Sequence, residues 1–436
     1  MKRYSRLVLC FLATHYVVSS FSQTWSSIGA GANSEISSLA VYNSELYAAG
    51  YFTMAGGNSA SHIAKWNGTT WSAVGSGTDN PIWTLAVYNG ELYAGGGFAT
   101  AGGIPAASIA KWNGTSWSAV GANGMTAPIY ALSVYNNELY AGGVYYGGGD
   151  IYGNCIAKWN GSTWSVPGGG MHGPAFGTTI NTLAVYNNEL YTAGSFTLSG
   201  GVTTNGVSKW NGTAWSAVGS GTNYLTFSLC PYNTELYAGG YFTMAGSANA
   251  MYVAKWDGTN WSAVGTGMDT SVFALGVYNG ELYAGGLFTQ AGGVPAKHIA
   301  KWDGTNWSAV GIGTDTTVRA FCVYNGDLYV GGDFVTAGGV TVNHIAKWNS
   351  PLGINQNSGY ETLKIYPNPT ANIIHIENSG EKAEVRILDI LGEEKKKTNL
   401  LVPESAIDVS DLSDGVYFVA IKTKEGLLTK KIVVQH

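Results

Sequence analysis

His62, His298 and His344 occupy one repeated position of this chain, and imidazole is the commonest metal-binding side chain. A zinc ion would need its ligands ~2 Å away. The strands that carry these residues are expected to open outward from an axis, which puts neighbours on the order of 15 Å apart. The same position also takes Ser108, Cys155, Gly206 and Tyr252, so no metal or cofactor site is expected. Lys65, Lys111, Lys158, Lys209, Lys255, Lys301 and Lys347 fill a second column, and Glu45, Glu91, Glu138, Glu189, Glu235, Glu281 and Asp327 a third. An active site is a single constellation, so a charge written into every copy serves the copy, as strand-end pairs of ~0–1 kcal/mol each. Paired-carboxylate catalysis needs two acids ~5–10 Å apart. Asp150 and Asp333 are singular, but they lie in different copies with no evident partner. No nucleophile elbow, HExxH or Cys–His pattern occurs. No catalytic residue is therefore assigned.

Binding chemistry fits better. Two residues before a constant Leu, the copies carry Ser37, Trp83, Tyr130, Asn181, Phe227, Phe273 and Arg319, the last being the only Arg between residues 23 and 350. Aromatic faces with few charges suit sugar rings or apolar peptide side chains. A second irregular stretch replaces the usual FTxAGG wording with VYYGGGDIYGN (144–154) and adds residues in GGGMHGPAFGTTIN (168–181). It offers Tyr145, Tyr146, Asp150, Tyr152, Met171, His172 and Phe176 as further ligand-binding candidates.

These residues need a scaffold, and the repeat supplies it. TWS or a variant recurs at Trp25, Trp71, Trp117, Trp164, Trp215, Trp261 and Trp307; KW recurs from Trp66 to Trp348, again seven times. The period is 46 or 47 residues with one exception, and periods of 40–50 residues with strand-like text indicate a propeller or a similar array. The first copy parses into strands at 38–43, 45–52, 62–67 and 69–75. Asn43-Ser44 and Asn67-Gly68 are expected to make two-residue hairpins with positive φ at both positions. The first TWS lacks a KW before it, and the last KW lacks a TWS after it. The copies are complete only if the N-terminal strand pairs with 344–349, which removes exposed edges. The fold class expected is all-β: a seven-bladed β-propeller closed by the N-terminal strand, at 23–350, plus a small C-terminal β-sandwich. Both tight turns of each blade then share one face, and all the variable loops share the other, where the mouth of the channel lies.

The double glycine ending the second strand (Gly95-Gly96, Gly285-Gly286) and the Trp opening the fourth resemble kelch-type propeller units. The WNGTxW and FTxAGG wording is still more similar to the propeller repeats of fungal cortical cell-polarity marker proteins. The resemblance implies a fold and leaves function open, because propellers host unrelated activities.

At the N-terminus, a basic segment (Lys2, Arg3, Arg6), an apolar run and small residues before Gln23 read as a signal peptide over 1–22. No later stretch is long and apolar enough for a transmembrane segment. Net charge is −5 with no basic stripe, so no nucleic acid partner is expected. Cys155, Cys230 and Cys322 follow the leader, an odd number that makes no disulfide framework. After a linker at 351–359, charged residues rise to 22 of the last 86, against 24 of the 328 before them. The domain at 360–436 reads as short alternating strands. Tyr366-Pro367-Asn368-Pro369, Asp408-Val409-Ser410-Asp411-Leu412, Gly415-Val416-Tyr417 and Thr429-Lys430-Lys431-Ile432-Val433 resemble the type A C-terminal sorting domain of the type IX secretion system. That resemblance implies a Gram-negative host, the Sec machinery and the type IX translocon as partners, passage through the periplasm, and a secreted or outer-membrane cell-surface destination.

The function expected is a non-enzymatic binding or adhesion module for an extracellular glycan or protein. The alternative is a polysaccharide hydrolase or lyase on the same scaffold, which two carboxylates converging on the mouth would favour.

Overall fold

The computed structural model describes residues 24–121, 127–144, 154–173, 177–349, 364–377, 383–389, 394–400, 404–422 and 427–436. The expected signal peptide and linker lie outside the described residues. The chain forms two compact units, one within 22–350 and one within 351–436.

The first unit is all-β and propeller-like. Among the described residues it holds seven four-stranded antiparallel sheets, numbered here by the order of their inner strands. Sheet one runs Ile36–Tyr42, Glu45–Gly50, Ile63–Trp66 and Trp71–Ala73. The inner strands of the others are Ile82–Tyr88, Ile129–Tyr135, Thr179–Tyr186, Thr226–Tyr232, Val272–Tyr278 and Val318–Tyr324. Sheet seven takes its outer strand from the N-terminus: Trp25 lies across from Trp348, Ser26 from Lys347 and Ser27 from Ala346.

The first turn is the expected hairpin, with Asn43 and Ser44 at φ +48° and +61° between Tyr42 and Glu45. The second differs from expectation. Trp66 pairs with Trp71 across four residues, and only Gly68 has positive φ. The cause is the Asn67 side chain, whose Oδ1 accepts the backbone N–H groups of Thr69 and Thr70, each at 2.9 Å. This side chain caps a wider turn.

The core lies between sheets. Residues of sheet one pack with those of sheet two (Tyr47 and Ile63 with Ile82 and Leu92), and Tyr324, Tyr329 and Ile345 of sheet seven join the core of sheet one. The glycines ending the second strands permit this approach. A Cβ on Gly95 would sit 2.6 Å from Ile129 of sheet three, and one on Gly331 2.7 Å from Ile36 of sheet one.

Two belts of hydrogen bonds tie sheet to sheet. The Tyr ending each inner strand donates to the second turn residue of the next sheet: Tyr42 to Gly90, Tyr88 to Asn137, and so on to Tyr324, which donates to the Ser44 carbonyl of sheet one at 3.1 Å. The outer Trp of each sheet donates Nε1–H back to the preceding sheet, as Trp117 does to Val74 at 2.9 Å. Trp25 follows the same rule toward Val310, and Trp71 donates to Ile28, which follows Trp25's strand.

The second unit pairs a three-stranded sheet (Lys364–Tyr366, Ile373–Glu377, Glu404–Asp408) with a four-stranded one (Glu394–Leu400, Ala383–Leu388, Gly415–Lys422, Leu427–Val434). Ile374, Ile376, Val385, Val419, Ile421 and Ile432 from both sheets share one core. In the Tyr366–Pro369 motif both X-Pro bonds are cis, Tyr366 stacks on His375, and Asn368 Oδ1 accepts the Val433 N–H at 2.8 Å. Gly415 begins a strand, the buried Tyr417 donates to the Ser413 carbonyl at 3.0 Å, and Lys430 and Lys431 lie in the closing strand.

If the borrowed strand is as integral as the others, Trp25→Ala should destabilise the first unit as much as Trp71→Ala, by ~3–5 kcal/mol each. Denaturant titration of the two variants measures this. A negligible effect of Trp25→Ala beside a full effect of Trp71→Ala would contradict it.

Candidate functional site

Every inner strand carries a β-bulge at the same place. Register shifts between Ile36 and Ser38, Ile82 and Thr84, Ile129 and Ala131, Ile180 and Thr182, Thr226 and Ser228, Val272 and Ala274, and Val318 and Ala320. The extra residues are Ser37, Trp83, Tyr130, Asn181, Phe227, Phe273 and Arg319, the whole of the expected mouth column. A bulge re-aims its extra side chain, and here all seven are half-buried. Trp83 and Tyr130 meet with ring centroids 5.0 Å apart, and Phe227 and Phe273 at 5.1 Å. The Arg319 guanidinium lies 5.2 Å from the Phe273 centroid. Trp83 Nε1 donates to the Tyr51 hydroxyl at 2.9 Å, and Asn181 Nδ2 to the Thr226 carbonyl at 3.1 Å.

One expectation is corrected here. Asp333 has a partner: Arg319 donates to it through Nε and Nη2, both at 3.0 Å. Arg319 is consequently not an open charge awaiting a ligand. Its Nε also lies 3.3 Å from Glu35, whose carboxylate accepts a 2.8 Å bond from the Ser37 hydroxyl. Two carboxylates therefore do converge on one residue of the expected mouth column. Desolvation holds the Glu35 carboxyl above its usual range; Arg319 and the Ser37 bond oppose the rise, and Asp333 adds to it. Glycosidic carboxylates flank an open gap that admits the scissile bond. Here a guanidinium touches both acids.

The remaining columns have structural duties. Each column lysine pairs with the acid of its own sheet at 2.7–3.1 Å, from Lys65–Glu45 to Lys347–Asp327. His62, His298 and His344 sit at φ +63° to +70°, as do Ser108 and Tyr252 at +66°, so this position is a left-handed corner. Histidine is among the residues that tolerate such a φ. Burial pushes the thiols of Cys155 and Cys230 up to about 12, which suits packed side chains and not nucleophiles. Among the described residues no three His, Cys, Asp or Glu side chains group as metal ligands. His172 lies in a short strand, Met171–His172, paired with Leu198 and Ser199, and its ring meets the Gly169 carbonyl at 3.0 Å. Tyr145, Tyr146, Asp150, Tyr152 and Phe176 lie outside the described residues.

The loop face is more regular than its variable wording implies. Asn33 Oδ1 accepts the N–H groups of Thr53 and Met54, and Asp79, Asn223 and Asp269 do the same in their sheets, all at 2.9–3.1 Å. Sequence reading also missed Glu35, although it is the only Glu of this unit outside the repeated column. It missed the grouping of Tyr224, Tyr241 and Tyr252 within one sheet too.

Residues 364–435 match the family model for the secretion system C-terminal sorting domain. The tail is similar to a sorting domain. That match indicates export by the type IX secretion system and marks the protein as secreted or cell-surface. Among the described residues no helix is long and apolar enough to cross a membrane. No curated protein matches the chain. Among solved structures, PorZ, an essential surface component of the type IX secretion system of Porphyromonas gingivalis, is similar at 14% identity and a TM-score of 0.47, over 92% of this chain and 60% of PorZ. The extracellular domain of a hybrid two-component system from B. thetaiotaomicron is similar at 12% identity and a TM-score of 0.49, over 95% of this chain and 59% of that one. The chain thus spans about three fifths of the length of either.

The Glu35 cluster has a pH signature. A carboxyl whose value is raised by folding stabilises the folded state below its ordinary value of 4.5, and that contribution is lost as pH rises through the raised value. Carboxyl-carbon NMR should find Glu35 titrating above its ordinary value of 4.5. Asp333→Asn should lower its midpoint and Arg319→Met should raise it. A Glu35 midpoint at or below 4.5, indifferent to both substitutions, would contradict this assignment.

Proposed function

We propose that the first unit is a closed seven-bladed β-propeller acting outside the cell as a non-enzymatic binding or adhesion module for a glycan or protein. The tail delivers it, after Sec export to the periplasm of a Gram-negative host, to the type IX translocon. The observation that carries the binding reading is the belt at the bulges. Trp83, Tyr130, Phe227 and Phe273 present half-buried aromatic faces at one ring of equivalent positions, and Arg319 is neutralised by Asp333 and Glu35. Such a surface is aromatic and low in net charge, which favours stacking over ionic recognition.

A second reading rests on Glu35 and Asp333. Should the guanidinium withdraw when substrate enters, the two carboxyls would become an acid–base pair for polysaccharide cleavage. Loss of sugar release in Glu35→Gln, with binding retained, would favour this enzyme reading. An absence of any cleavage by the wild-type chain would leave binding alone.

Screening the Trp83→Ala/Arg319→Ala variant on glycan and peptide arrays tests the mouth. Loss of the wild-type signal by about tenfold or more is expected for a pair that includes an aromatic anchor. Unchanged binding by the folded variant would remove the mouth as the site. Separately, a chain lacking 364–435 should accumulate in the periplasm, as measured by cell fractionation. Its appearance on the surface at the normal level would contradict the role of the tail.

A further inference from the structure

Sheet five gathers three tyrosines, two of them at places where every other sheet carries another residue type. Tyr224 stands where the other sheets carry Ser34, Asn80, Ala127, Thr178, Thr270 and Thr316. Tyr241 follows the second strand at a position that is Tyr51 in sheet one and Gly97, Val144, Ser195, Leu287 or Asp333 in the others, and Tyr252 occupies the left-handed corner held by His62 in sheet one. Tyr224 and Tyr252 stand at positions where no other sheet carries a tyrosine, and with Tyr241 their three rings meet. Tyr224 and Tyr241 form a corner, with centroids 5.6 Å apart and planes at 72°. Tyr241 and Tyr252 lie 5.9 Å apart at 30°. Burial does not explain two of them, since Tyr224 is 58% exposed and Tyr241 49%, whereas Tyr252 is half-buried against the core.

The corner walls a cleft. Loops of sheets four and five enclose about 440 Å³ between Ser195, Thr197, Asn205, Ser220, Asn223 and Tyr224. About 250 Å³ more lies on the other side of Tyr224, against Tyr241, Thr243 and Tyr252. The larger volume falls within the range of small-molecule sites. No lining residue of either space carries a charge. The floor is held rigid. Asn223 bonds Thr243 and Met244, Asn205 bonds the Ser220 carbonyl, and Thr222 bonds the Tyr224 carbonyl. Among the described residues no hydrogen bond occupies the hydroxyls of the three tyrosines.

We infer that this cleft binds an uncharged oligosaccharide. Sugar rings have apolar C–H faces and polar edges. A corner of exposed tyrosine faces beside amides and hydroxyls complements both, at little cost in side-chain entropy. An apolar peptide side chain would call for a closed apolar pocket, and an acidic sugar for a cation; the cleft has neither. The site uses none of the mouth residues, so it stands or falls independently of the mouth.

The repeat itself supplies a substitution set compatible with the framework. Tyr224→Thr/Tyr241→Ser/Tyr252→His installs residues that sibling sheets already carry at these positions. The full chain is titrated calorimetrically with uncharged gluco-, manno-, xylo- and galacto-oligosaccharides, with oligogalacturonate, and with a peptide library. At least one uncharged oligosaccharide should bind, and the triple variant should bind it at least about tenfold more weakly. Tyr224→Phe/Tyr241→Phe should lose less than about tenfold, since the faces remain. Full binding by the folded triple variant would overturn the inference. So would binding confined to oligogalacturonate or peptides, or no binding by the wild-type chain to any uncharged oligosaccharide.

Discussion

Ser26 and Asn349 are 323 residues apart in the chain, yet their side chains meet at 3.4 Å where the first strand lies against the last sheet. Most of the first unit depends on that seam. Each sheet covers its apolar faces only with its neighbours, so a row of such sheets would leave two faces and an edge strand open. Here Ile36, Tyr324, Tyr329 and Ile345 share one core across the first and last sheets. Bringing distant ends together costs entropy that grows only slowly with length. The Trp25–Trp348 contact, at 4.9 Å between centroids, and the bond from Trp25 to Val310 contribute against that cost.

The same repetition that holds the sheets together sets aside places for function. The tyrosine belt fixes the tight-turn rim, and the lysine–acid pairs and tryptophans fix the strands. The bulge has a different character. Its backbone recurs in every sheet, but its side chain is Ser, Trp, Tyr, Asn, Phe, Phe or Arg. A position whose backbone is constrained and whose side chain is not can be rewritten without unfolding the sheet. Glu35, Arg319 and Asp333 use this freedom to place a compensated ion cluster there, and sheet five uses the loop face to gather three tyrosines.

Much of this was legible in the sequence because period and turn chemistry are local signals. The TWS and KW columns mark the paired tryptophans, Asn43-Ser44 marks the hairpin, and the unmatched ends point to the pairing of Trp25 with Trp348. The mouth column was legible as variation beside a constant Leu, although nothing local marked it as a bulge. What stayed hidden depends on contacts between copies. Asp333 finds Arg319 on a different strand of its own sheet and Glu35 arrives from the loop before sheet one, so spacing alone could not unite them. The Asn67 turn was misjudged because its side chain, and not its φ, does the capping. The aspartates and asparagines that strap the loop face were concealed by the variable text around them.

Native-state hydrogen exchange across the seam tests the central claim most directly. The backbone amides of the Trp25–Ser27 strand, and the Asn349 N–H that bonds the Thr24 carbonyl at 3.1 Å, can be compared with the matching outer strand Trp71–Ala73 of sheet one. If the first strand completes the last sheet, both sets exchange only with unfolding of the whole unit. Fast, local exchange at residues 25–27 and 349, with residues 71–73 fully protected, would mean that the ring is open at its seam.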